Sequence, residues 1–194
     1  MRKLTNSILA LTTLLLLATA CGDNNPQPKP RGYFRIDMPE KQYVTLDTMR
    51  YYSFEYPVYA TITPDSYSPD EKDWANVEFP EFKGTIHLSY KHVDGNLSQY
   101  VEDAYRMIVK HIEKATGIRD SLIVDTDRNV YGLMYFLDGE GVASPLQFYL
   151  TDSTHHFMRG SLYFNIYPNN DSLQPVIGFI TDDVRHLINT LEWK

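Results

Sequence analysis

Cys21 is the residue whose type and setting point to a defined chemistry. It is the only cysteine among 194 residues, and a thiol in an exported chain is either half of a disulfide or a nucleophile awaiting modification. Ahead of it stand the positive start Met1-Arg2-Lys3, an apolar stretch from Ile8 to Leu17 broken only by Thr12 and Thr13, and Leu17-Ala18-Thr19-Ala20, which closes in small residues. That layout is an export leader, too short to span a bilayer. A small-residue cleavage site directly before a lone cysteine is the pattern of a bacterial lipoprotein signal. In it the thiol is diacylated, residues 1–20 are removed, and Cys21 becomes a lipidated N-terminus. Ala18 stands where Leu or Val is more usual. An ordinary secretory leader followed by an incidental cysteine is the alternative. More than one acyl chain gives stable anchoring where one is marginal.

Other chemistry is sparse. The sequence has no Gly-rich phosphate loop, no metalloprotease His-Glu pattern and no nucleophile elbow around a serine. His155-His156 beside Asp152 is the densest titratable cluster. Adjacent residues on a strand point to opposite faces, so the pair cannot easily share a metal, and a polar turn is the expected role. Asp182-Asp183 reads as a carboxylate pair in the positive first turn of a helix. Glu78 and Glu81 read as a solvated face. The expectation is no metal, no cofactor and no catalytic residue.

Cleavage before Cys21 takes Arg2 and Lys3 away, leaving 16 basic against 25 acidic side chains and a net charge of −9. So acidic a surface disfavours nucleic acid and anionic headgroups. Lipidation uses the one thiol, so the exported domain holds together by packing alone. The 15 Tyr and 9 Phe suggest a sheet-rich core with tyrosines at its boundary with water. From Gly22 to Arg31 there is no apolar side chain and three prolines alternate. Residues 21–32 are thus expected to be an extended tether, reaching up to about 30 Å at roughly 3.1 Å per residue. Residues 33–194 are expected to form one globular domain.

Within that domain, Gly32 to Pro39 reads as an extended arm. Tyr51 to Thr63 reads as a strand in which Pro57 marks an edge or bulge. Gly84 to Val93 alternates Ile86, Leu88 and Tyr90 against His87, Ser89 and Lys91, a half-buried strand. Asn96 opens a helix whose apolar positions Leu97, Val101, Ala104, Ile108, Ile112 and Ala115 recur at steps of three and four, with Gly117 expected as its left-handed cap. Ile118–Asp127 and Asn129–Leu137 read as strands, the second closed by Asp138-Gly139. Leu146–Leu150 and the alternating run after His156 form the strongest hairpin. Pro168 to Pro175 reads as a loop, and Thr181 caps a second helix with the stripe Val184, Leu187, Ile188, Leu191. The expectation is an α+β fold: a single, mainly antiparallel sheet of six or seven strands with two helices packed on it. Its element order is similar to that of PsbP and Mog1-type folds, an analogy of architecture that carries no function.

Several stretches are more specific. Ser144 to Asn165, Pro168-Asn169-Asn170-Asp171-Ser172, the terminal Leu191-Glu192-Trp193, Pro30-Arg31-Gly32-Tyr33-Phe34-Arg35-Ile36 and Phe54-Glu55-Tyr56-Pro57, with the lipoprotein cysteine, together resemble the gliding-motility lipoprotein D family, GldD, of Bacteroidota. The resemblance spans nearly the whole exported chain. It implies an envelope lipoprotein needed for surface gliding and linked to type IX secretion, working beside other motility and secretion lipoproteins or envelope proteins, with no enzymatic activity and only Cys21 carried over as a site. One acid and no acidic cluster follow Cys21, so the expected position is the periplasm-facing leaflet of the outer membrane.

Two function classes remain. One is a noncatalytic docking module whose partner-binding residues are expected on the strand after His156 and its following loop: Arg159, Tyr163 and Tyr167, since Arg and aromatics anchor interfaces. The other is a domain that binds, or acts on, periplasmic glycan or peptidoglycan, with tyrosines available for sugar stacking. Asp-Ser/Thr-apolar triplets, similar to O-glycan acceptors of exported Bacteroidota proteins, mark Thr48, Ser121 and Ser172 as modification candidates.

Overall fold

The structure, a computed structural model, describes residue 32 and residues 35–194. The leader, Cys21, the tether and the start of the arm at Tyr33-Phe34 lie outside those residues. Residues 35–194 form one compact unit.

Two-residue alternation builds its centre. Strands β5 (Gly84–His92), β9 (His156–Phe164), β8 (Leu146–Thr151) and β7 (Val130–Asp138) lie side by side and antiparallel. β4 (Ala75–Phe79) and β3 (Thr61–Pro64) extend one edge, and β6 (Gly117–Asp125) forms the other. The register puts Leu88 opposite Gly160, Gly160 opposite Phe148, and Phe148 opposite Met134. One face of the sheet is therefore apolar across its central strands, giving way to Arg119, Ser121 and Asp125 on β6. Against it packs helix α2 (Asn170–Thr190) through Val176, Ile180, Val184 and Leu187, in the same buried cluster as Ile86, Leu146, Leu150, Met158 and Leu162.

The expectation of a single sheet needs one correction. A second sheet of three strands, with β2 (Tyr52–Pro57) between β1 (Tyr43–Leu46) and the two-residue β10 (Glu192–Trp193), adds Leu46, Tyr52 and Phe54 to that core. The run from Tyr51 to Thr63 is two strands in two sheets. Pro57 is where they part: it has no N–H to donate and ends β2, and Ala60 N closes a turn on its carbonyl at 2.9 Å.

The opposite face of the large sheet is half apolar. Helix α1 (Leu97–Val109) crosses it, Ala104 meeting Val93 and Phe157 at one end and Ile108 meeting Leu137 and Val142 at the other. α1 is shorter than its apolar spacing suggests. It stops at Val109, Ile112–Lys114 forms a separate 3-10 turn, and Gly117 is the first residue of β6 rather than a cap. Asn96 occupies the cap position without capping: its Oδ1 accepts from Asp94 N at 2.9 Å and its Nδ2 donates to the Tyr100 hydroxyl at 3.1 Å.

α2 is longer than expected, because the helix runs through Pro175. An interior proline commonly costs about 3 kcal/mol. Here Asn169 caps the start by accepting from Ser172 N, and Val176, Ile177 and Ile180 extend the buried stripe backwards, offsetting the lost bond with apolar burial. Asp182 and Asp183 consequently lie in the middle of a helix, far from its positive end.

Candidate functional site

Asp183 takes on a different meaning in that position. It is 2 % exposed, and a carboxylate so placed must be paired. Lys41 Nζ donates to its Oδ1 at 2.6 Å, Tyr43 Oη donates to the same oxygen at 3.0 Å, and Tyr59 Oη donates to Oδ2 at 2.7 Å. Lys41 also donates to the carbonyl of Phe179 at 2.7 Å and lies over the Phe179 ring. Burial, then the bond to Asp183, raises both tyrosine pKa values well above the ordinary range, so both hydroxyls keep their protons. One turn on, His186 stacks on Tyr43 at 3.6 Å between ring centres and pairs with Glu55 at 2.6 Å. Three separate segments are thereby tied to one helix. The reading of Asp183 as a helix-dipole residue is corrected by this: its charge serves tertiary pairing.

The α1-covered face of the sheet holds the residues expected to dock a partner. Arg159 is partly buried and turned along the sheet, Nη2 donating to Gln147 Oε1 at 2.7 Å. Tyr163 packs its ring near His87 and His111. Tyr167 lies past the end of β9, in the connection to α2, and is 91 % exposed. The three do not share one strand face as alternation suggested, because β9 stops at Phe164. Around Arg159 the register sets a polar row across the strands: Asn76, His87, Ser161 and Gln147. Burial lowers the pKa of His87 and of His111; at His87 the Asp65 and Glu78 charges oppose this while Arg159 adds to it, and at His111 the Arg159 charge lowers it further. Alternation along single strands sets Gln147 and Ser161 on the face opposite Leu146 and Leu162 but does not show their burial; both are 1 % exposed.

His155 and His156 diverge, His155 exposed and His156 directed at the Tyr90 hydroxyl at 2.8 Å with Trp193 stacked on its ring at 5.1 Å. Among the described residues no group of three or more His, Cys, Asp or Glu side chains is arranged to hold a metal ion. Asp152 is a turn organiser: partial burial opposes its ionisation, but N–H bonds from His156, His155 and Thr154 outweigh this and hold its pKa at about 2. Thr48, in the loop after β1, Ser121, on β6, and Ser172, in the first turn of α2, are all exposed.

One surface was missed. β6 is the open edge of the large sheet, and its residues on the α1 side include Ile118, Leu122 and Val124, with Leu122 72 % and Val124 61 % exposed. Beside them an apolar groove of about 550 Å³ runs between α1 and the sheet, walled by Val101, Tyr105, Leu133, Tyr135 and Tyr149. Exposed edges are usually blunted with charge or proline. This edge carries Arg119, Asp120 and Asp125, but Arg119 is paired to Asp138 and Asp125 to Arg128.

Among the described residues no helix is long and apolar enough to cross a membrane. No curated protein matches the chain. A family model described as gliding motility lipoprotein GldD matches residues 23–193. Several stretches that carried the resemblance sit in the contacts just described: Glu55 on His186, Trp193 on His156, and Asn169 at the start of α2. With nearly all of its exported length matched, the chain belongs to the gliding motility lipoprotein GldD family.

Proposed function

We propose that the protein is a lipid-tethered, noncatalytic docking domain that helps assemble or stabilise the motility and type IX secretion machinery from the periplasmic side of the outer membrane. Membership of the family carries involvement in gliding motility and attachment to the cell envelope as a lipoprotein; the assembly role, the secretion link, the absence of catalysis and the leaflet are the proposal. Cys21 is the acylated residue, residues 1–20 are the removed leader and residues 21–32 the tether to a single domain over 33–194.

The observation that supports docking is the open apolar edge at β6. A partner strand, contributed by another envelope protein of the apparatus, adds to β6 and covers Leu122, Val124 and the adjoining groove, the mode in which main-chain bonds give affinity and side-chain pockets give specificity. Tyr167 is a second, separate point of contact; Arg159 and Tyr163 contribute from beneath α1 rather than as free anchors.

The test is Leu122→Glu in the native cell. Leu122 is largely solvent-exposed, so stability should stay within about 0.5 kcal/mol of wild type. Gliding and co-capture of motility lipoproteins should both be lost. A folded variant that glides normally would remove β6 as the docking edge. Independently, Cys21→Ser should shift the protein out of the membrane fraction.

A further inference from the structure

We propose that the cleft between α1 and the β4–β5–β9 part of the large sheet is a binding site for a small ligand bearing a carboxylate, held by Arg159. This goes beyond docking at β6 and shares only Arg159 with that reading.

The first observation is an unpaired cation. Arg159 is partly buried, makes one hydrogen bond, to the neutral Gln147, and has no carboxylate partner among the described residues. Buried guanidinium groups are ordinarily matched by a carboxylate, because desolvation must be offset by a counter-charge. Arg106, Arg119 and Arg128 each have one, and Arg50 and Arg185, which have none, are exposed to water; Arg159 is the partly buried guanidinium left unmatched. The acceptor for the remaining N–H bonds of Arg159 is therefore expected from outside the fold.

The second observation lies on the same sheet face. Gln147 Nε2 and Ser161 Oγ are buried donors without a partner. They are cross-strand neighbours on the same face as Arg159. Leaving each unmet costs about 1–3 kcal/mol. The amide orientation is fixed by Arg159, which needs Oε1 as its acceptor, so Nε2 must face away from the guanidinium. Neither atom lines the cleft, but two unmet polar groups buried beside an unmet cation leave this part of the sheet short of acceptors.

The third is space. A cleft of about 320 Å³ opens over Arg159, with Trp74, Asn76, His87, Ser89 and Met107 among its walls. His87 is oriented in it: Nδ1 donates to Asn76 Oδ1 at 2.7 Å while Asn76 Nδ2 points to the Pro64 carbonyl, which leaves Nε2 open. Asp65 also borders the cleft, but its carboxylate is turned onto its own loop, accepting from Tyr67 N at 3.2 Å. Lys91, on the same sheet face, is engaged by Glu71. One free guanidinium with neutral donors suits the single negative charge and planar fork of a carboxylate better than a dianionic phosphate. Gln147, which fixes the guanidinium, is a positioning residue.

Trp74 in the wall supplies the readout, with Trp193→Phe removing the other tryptophan of the chain. Full-length protein in detergent is titrated with N-acetylalanine, its amide, glucuronate and inorganic phosphate. Quenching or enhancement of Trp74 by N-acetylalanine but not by its amide supports a peptide carboxylate; a response to glucuronate alone supports a glycan carboxylate at the same site. Arg159→Met should weaken either by about tenfold or more. Should that variant unfold, Gln147→Glu gives the second reading: it places an internal carboxylate on Arg159, so it should fold and stop responding. A wild-type protein that responds to no carboxylate, one that prefers phosphate, or a Gln147→Glu protein that binds unchanged would overturn the assignment.

Discussion

Gly160 shows how closely single residues set this fold. A Cβ built there would sit 2.1 Å from the Phe148 ring, so the absent side chain is the space Phe148 occupies across β9. Gly160→Ala should cost at least about 1–3 kcal/mol by overpacking, measured by urea unfolding. Asp183→Ala should cost about 3–5 kcal/mol, since it leaves Lys41 and two tyrosine hydroxyls facing an empty acceptor; wild-type stability in that variant would mean the network is incidental. At Asp152 the sign is that of a depressed carboxylate. Its folded pKa of about 2 lies below the unfolded value, so its contribution is present above about pH 4 and lost as pH falls towards 2. The stability gap between wild type and Asp152→Asn should therefore shrink across that window. Of these, only the polar turn at Asp152 was legible in sequence. Gly160 read as one more residue of an alternating run, and Asp183 looked like a complete helix-cap explanation, because a tertiary partner 142 positions away leaves no local trace.

Elements were more readable where period alone decides. The hairpin β8–β9, β5 and β7 follow from strict alternation; burial alternates with it in β5 and largely in β7, whereas β8 and β9 are covered on both faces. The failures occur where a local signal was overridden. Pro175 argued for a loop, yet the apolar stripe through Val176 and Ile180 carries the helix past it. Ile112 and Ala115 kept the helical spacing of α1, yet the chain leaves the helix at Val109 and turns into β6. β10, two residues long, gives no periodicity to detect. The candidate site was half legible: Arg159 and Tyr163 were named for their chemistry, but the cleft depends on α1 lying over the polar row, which spacing within one strand cannot reveal. At this scale the check on α1 is Ile108→Ala. It should cost about 2–5 kcal/mol by opening the contact with Leu137 and Val142, while leaving the α2 side of the core intact.

The unit over residues 35–194 is a layered sandwich that contains no cysteine, and three of its histidines make its stability respond to pH. Burial holds His87, His111 and His156 below their ordinary pKa. The unfolded chain therefore binds more protons than the folded one just below pH 6.5, and stability should fall as pH drops from about 7 to 5. Thermal unfolding at the two pH values checks this; a flat profile would mean these rings titrate alike in both states.

The clamp on Lys41 has a mechanical consequence. Past Met38, which packs on the core, a pull from the N-terminal side reaches Lys41 and β1, and there it meets a buried carboxylate on α2 as well as a four-residue ladder with β2. Tension is thus passed sideways into the longest helix and from it to the large sheet, instead of peeling an edge strand from its neighbour. In a single-molecule stretching experiment gripped at the N-terminal side, Asp183→Asn should lower the rupture force of the first event and leave later ones unchanged. Asp183 thus sets where the domain first resists a pull from its N-terminal side.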